Sequence, residues 1–184
     1  MTLQTHRLGL LCAGVAVTVG AVLAGCGQQV PGAATADAAE VAAYKTSAAA
    51  SSSAAAASKA AAAQSKAISD NCTAFPVTTG VGVTKYNEFI SAHDTNAPDY
   101  TAKRDAAAAT LDDAASKVEA GVREAGANLP PDLAAKFTAY ATAARELAAE
   151  TRKMTYNSQV ARLNAASVKI NDARTAVHDA CPKR

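Results

Sequence analysis

The sequence predicts an all-α protein: a small antiparallel helical bundle of three long helices plus one shorter, preceded by an Ala/Ser-rich, partly helical stalk. Two observations carry this. Ala supplies much of the 49% hydrophobic content, aromatics reach only 4% and Trp is absent. Such a core buries little area per residue and favours slim, close-set helices. Through the second half of the chain, apolar residues also recur every three or four positions, broken at clusters of Pro, Gly and Asn. That is the period of helices burying one face. A length of 184 residues allows one domain with a tail.

The stalk comes first. Asp37 and Glu40 stand three apart, as in a capping box, and the Ala-rich run to about Ser69 favours helix. Ser51-Ser52-Ser53 weakens it, and only Val41, Tyr44 and Ile68 offer packing groups. A helix with no face to bury is marginal in water, so this tract reads as a partly helical spacer. Residues 75–83, from Phe75-Pro76 to Val83, are rich in Thr, Val and Gly and read as an irregular lead-in. Thr84 then caps a short helix carrying Tyr86, Phe89 and Ile90.

Asn96-Ala97-Pro98 ends that helix, and Pro98 suits the first turn of the next. The second helix runs to about Ala125 on Tyr100, Ala107, Leu111, Ala114, Val118 and Val122. Gly126 and Asn128 stop it, and Pro130-Pro131 make the bend. The third places Leu133, Phe137, Tyr140, Ala144, Leu147, Thr151 and Met154 at alternating four and three. Its stripe would continue onto Ser158, Ala161, Ala165, Val168 and Asp172. The apolar residues there are instead Tyr156, Val160, Leu163, Ile170 and Val177. A slip of two residues turns the face by about 200°, so a turn is expected at residues 155–158, with Asn157 or Ser158 as cap. The fourth helix runs to Cys181.

The N-terminus speaks to location. Met1 to Arg7 is polar, with Arg7 its firm positive charge, and an uncharged apolar run follows from Leu8 to Ala24. That is the layout of a secretory signal peptide. It ends in Leu23-Ala24-Gly25-Cys26, which resembles the lipobox of bacterial lipoproteins: an aliphatic residue, two small ones, then Cys. The resemblance implies a diacylglyceryl group on the Cys26 thiol, cleavage before Cys26, and a protein held on the extracytoplasmic face of the cell membrane. Two or three acyl chains, at about 0.8 kcal/mol per buried CH₂, make such an anchor stable. An uncleaved membrane-spanning leader is the alternative, since about 18 apolar residues is the lower edge for a span. More broadly, the chain resembles small Ala-rich lipoproteins of actinobacterial, mycobacterial type, which implies an envelope address and little about activity.

Four Cys are present. Cys12 leaves with the leader and Cys26 takes lipid, so Cys72 and Cys181 remain, an even pair in an oxidising compartment. One disulfide is the simplest reading; two free thiols or a redox pair would lack the C-x-x-C spacing. Three regions follow: residues 1–25 as the removed leader, 26–71 as lipidated terminus and tether, and 72–184 as a disulfide-closed helical domain.

From Asp70 onward the chain carries fourteen basic and fourteen acidic side chains. No basic run marks a nucleic-acid interface, and none is expected. His93 and His178 stand apart, outside any H-x-x-x-H spacing. Asp112-Asp113 and Glu119, flanked by Lys117 and Arg123, read as a solvated face. Gly80-Val81-Gly82 is too short for a phosphate loop, no G-x-S-x-G or S-x-x-K occurs, and Asn71-Cys72-Thr73 reads as a chance sequon. No catalytic residue, cofactor or metal is expected. The reading favoured by the sequence is a non-enzymatic interaction module tethered to the membrane, facing an envelope protein or the wall. One alternative is a carrier of a lipid or other apolar ligand, against which the small core side chains count. Another is a structural spacer between membrane and wall. The heptad-bearing, Ala-rich chain with a basic end resembles the murein lipoprotein, but Lys183 is followed by Arg184 and prolines interrupt the helix.

Overall fold

A computed structural model describes residues 37–183, and the chain from Ala42 onward groups as one compact unit. Among the described residues four helices follow one another: α1 (Ala38–Asp94), α2 (Tyr100–Ala125), α3 (Pro131–Lys153) and α4 (Ala161–Ala180), with a 3-10 turn at Gly126–Asn128. Residue pairings make every sequential neighbour antiparallel. Gly82 faces Leu111 and Asn71 faces Gly121 between α1 and α2. Arg145 reaches Glu119 and Arg152 reaches Asp112 between α2 and α3. Lys169 meets Glu146 between α3 and α4, and Cys181, just past α4, meets Cys72 of α1. The result is an up-down-up-down four-helix bundle.

The first helix corrects the sequence reading. Residues 75–83 are not an irregular lead-in, and Thr84 does not start a new helix. Pro76, Gly80 and Gly82 all lie inside one helix of 57 residues; the element expected to be the short one is the longest. The Thr84 hydroxyl bonds back to the Gly80 carbonyl at 3.2 Å, within the helix, instead of capping one. The propensity cost of Pro and two Gly is offset by tertiary burial. Ile68, Cys72, Phe75, Thr79, Gly82, Tyr86, Phe89 and His93 alternate by four and three, and all of them are buried or half-buried. Upstream, residues 42–62 are helical and exposed throughout. The Asp37 carboxylate accepts from the Ala39 N–H at 2.9 Å, capping the start of α1 as expected.

The other elements follow their stripes. Leu111, Ala114 and Val118 of α2 are buried, as are all seven positions expected for the third helix, Leu133 to Met154. Between these two helices Gly126 takes φ +52°, a left-handed value open to Gly at little cost, and Pro131 opens α3. The break expected after Met154 is there, but its cap is different. Ser158 Oγ accepts from the Thr155 N–H at 2.9 Å and so closes the turn, while α4 starts after Val160 with no side-chain cap. Leu163, Ile170 and Val177 are buried; Tyr156 and Val160, ahead of the helix, are exposed.

The core is built on Ala. Ala107, Ala108, Ala115, Ala141, Ala144 and Ala148 have no exposure at all, which lets α2 and α3 approach closely. Phe89, Phe137, Tyr140 and Leu111 supply the bulk. Phe75 of α1 stands edge-on to Phe137 and Tyr140, with ring centroids 5.5 and 4.8 Å apart, a favoured aromatic geometry.

Candidate functional site

Along one side of the bundle α1 and α4 do not close fully on each other. A groove of about 1070 Å³ lies between them, from Ser65 to Val83 on α1 and from Arg174 to Lys183 on the other side. Small residues open it. Pro76 cannot donate the helical N–H to the Cys72 carbonyl, and Thr79 lies buried. Gly80 has no side chain, and a Cβ placed there would meet nothing within 4 Å. The disulfide forms part of the wall: Cys72 and Cys181 are joined, with Cα atoms 5.7 Å apart.

The two walls differ in chemistry. The α1 side presents Ile68, Phe75, Pro76 and Val83; the α4 side presents Arg174, His178 and, beyond the helix, Lys183. No carboxylate is among the described residues lining the groove. His178 Nδ1 stands 3.5 Å from Asp179 Oδ1 outside it. In the core behind Thr79, burial pushes the Tyr140 phenol up to about 12, against the lowering effects of the Arg174 charge and a hydrogen bond from Thr79. The phenol therefore stays neutral at physiological pH, and among the described residues no carboxylate forms an ion pair with Arg174.

Two smaller cavities flank the core. One of about 400 Å³ lies between α1 and α2, near Phe75, Val118 and Phe137, and carries both signs of charge in Lys66, Asp70, Lys117 and Glu124. The other, about 90 Å³, is lined by Leu111, Leu147 and Ile170 and shares Val83 and Arg174 with the large groove.

The sequence-expected residues fall as follows. The leader, the Leu23-Ala24-Gly25-Cys26 box and the lipid attachment at Cys26 lie outside the described residues. Cys72 and Cys181 meet. His93 and His178 do not: His93 joins Tyr100 and Tyr156 at the other end of the helices, its ring 5.8 and 6.5 Å from theirs. In that cluster His93 Nε2 and the Tyr100 hydroxyl are buried without a hydrogen-bond partner among the described residues, and burial raises the Tyr100 phenol above its ordinary value. The acidic residues singled out on α2 are all charge-paired: Asp112 with Arg152, Asp113 with Lys117, Glu119 with Arg145. The Arg145 hydrogen bond is the chief reason the Glu119 carboxyl lies below its ordinary value. The Asn71 amide donates to the Ala67 carbonyl at 2.9 Å and its oxygen faces Gly121, so this side chain serves helix contact. Among the described residues no three His, Cys, Asp or Glu gather as a metal site, and no helix is long and apolar enough to cross a membrane.

The family described as the Rv2240c four-helix bundle domain matches residues 49–182. The chain belongs to this family. The matched span opens within the exposed part of α1 and closes one residue after Cys181, so the family domain takes in upstream helix as well as the segment between the cysteines. The family's mycobacterial name agrees with the actinobacterial resemblance of the sequence. No curated protein and no solved structure matches the chain.

The groove is what sequence reasoning missed. Its available signal was the four-three alternation running unbroken from Ile68 to Phe89, which keeps residues 75–83 helical and puts Thr79 and Gly82 on the buried stripe, leaving Pro76, Gly80 and Val83 beside it.

Proposed function

We propose that this protein is a lipid-anchored, non-enzymatic binding module of the cell envelope, and that the groove between α1 and α4 takes an apolar ligand. The anchor rests on the Leu23-Ala24-Gly25-Cys26 box. The binding role rests on one observation, a groove of about 1070 Å³, at the top of the roughly 300–1,000 Å³ span of ligand pockets. This favours the carrier over the flat interaction surface. The small side chains that count against a cavity in the sequence are here what leaves the space open.

The test uses the purified lipidated protein and an environment-sensitive apolar fluorophore. Saturable binding is expected, and Gly80→Trp, which puts an indole into open groove space, removes it while the helical circular dichroism is kept. Binding that Gly80→Trp leaves intact overturns the groove as the site. For the anchor, the native protein partitions with detergent, whereas Cys26→Ala yields no processed, detergent-partitioning form. An unmodified thiol at position 26 by mass spectrometry overturns that half of the reading.

A further inference from the structure

We infer that the occupant of the groove is an anionic diacyl phospholipid, its chains along the α1 wall and its phosphate against Arg174; this rests on the ligand-binding reading above. The first argument is the division of the walls. Ile68, Phe75 and Val83 give an apolar strip, while the side opposite carries Arg174, His178 and Lys183 with no acid among the described lining residues. A ligand that satisfies both walls is apolar along its length and negative at one place. The cavity between α1 and α2 is the internal contrast. Its lysines already have carboxylates, Lys66 with Asp70 and Lys117 with Asp113, so it offers an anion nothing.

Arg174 is the residue that fits the head group. It is half-buried, which strengthens its attraction for an anion over that of a fully solvated cation. Its planar fork matches phosphate oxygens two at a time. It has no ion pair with any described carboxylate, and it lines both the groove and the small cavity beside Leu147 and Ile170.

Dimensions favour two chains over one. Ser65 to Val83 spans about 27 Å of helix at 1.5 Å per residue. One leaflet of a bilayer has hydrocarbon about 15 Å deep, half of the roughly 30 Å core. The groove is therefore long enough for an acyl tail and a head group, and its volume exceeds what a small single-chain molecule fills.

Native mass spectrometry of the lipidated protein, incubated in mixed micelles with equal amounts of phosphatidylglycerol and of a diacylglycerol with the same chains, tests this. Phosphatidylglycerol adducts are expected to exceed diacylglycerol adducts about tenfold, the factor one charge-assisted hydrogen bond to the phosphate supplies. Arg174→Gln removes the preference, Arg123→Gln on the exposed face of α2 keeps it, and Gly80→Trp loses both adducts. Equal adducts in the wild type, or a preference surviving Arg174→Gln, overturn the proposal. So does oleate displacing phosphatidylglycerol at equal concentration, which would make a free fatty acid the occupant. Loss of lipid selectivity with fluorophore binding retained defeats this inference alone; loss of both defeats the binding reading beneath it.

Discussion

Cys181, one residue past the end of α4, is covalently joined to Cys72 near the middle of α1, across 109 residues of sequence. A closure of that length restricts the unfolded chain by up to roughly 4.7 kcal/mol in the chain-entropy model. With a core so rich in Ala, this is a large part of the stability expected of such a domain. Reduction, or Cys72→Ala with Cys181→Ala, lowers the urea midpoint by an amount equal to a loss of about 2–4 kcal/mol. A midpoint unchanged by reductant would show that the bundle needs no staple.

Ala144 has no exposed surface and lies on α3 among other buried Ala. Ala144→Leu adds three carbons where the helix axes leave no room, and overpacking of this kind costs about 1–3 kcal/mol. Ala139→Leu, on the exposed face of the same helix, is the control. Thermal unfolding of both variants is the measurement, and equal midpoints would refute close axial packing.

Tyr140 gives the fold an alkaline limit. Its phenol is pushed up to about 12 in the fold against about 10 when unfolded. The unfolded state therefore releases this proton first, and the stabilising contribution is complete below about pH 10 and lost as the pH rises to about 12. At about 1.4 kcal/mol per unit, the loss over that window is roughly 2–3 kcal/mol. Tyr140→Phe flattens the fall in stability across the same alkaline range. A parallel fall in both proteins would place the limit elsewhere.

Pro76 lies on the exposed side of α1, inside the helix. Pro76→Ala restores an N–H for the Cys72 carbonyl, and up to about 3 kcal/mol of helix propensity is at stake. A higher urea midpoint is expected. A lower midpoint would mean that the bundle requires the proline.

Residues 42–62 touch nothing that buries them. A chain beginning at Ala63 therefore keeps the unfolding midpoint of the full protein and loses helical circular dichroism in proportion to the helix removed. A drop in midpoint would reveal support from the upstream helix.

Helices α2 and α3 were legible because their stripes are written in Leu, Val, Phe and Tyr, and because residues 126–131 carry Gly and Pro where the chain turns. The break after Met154 was legible from phase alone, since Ile170 and Val177 fall on the wrong face of a continued α3. The joint between stalk and bundle was misread, because its four-three spacing passes through residues that look like loop. Thr79 and Gly82 occupy core positions without being hydrophobic, and Pro76 and Gly80 carry every local sign of a break. Burial of the whole face from Ile68 to His93, with Phe75 and Phe89 its largest buried members, holds that stretch helical through long-range contacts. The groove was hidden for a related reason: a cavity is written in missing atoms, and a pattern of large apolar residues cannot reveal where side chains stop short.

Because the sulfur bridge joins α1 directly to the segment after α4, it also fixes the mechanical route through the molecule. Tension between the two ends of the chain runs down α1 to Cys72, crosses to Cys181 and leaves by Pro182 and Lys183. The hairpin of α2 and α3 is by-passed. A pull that would unzip an unbridged bundle meets a covalent short circuit here, and residues 73–180 stay slack while the ends are stretched.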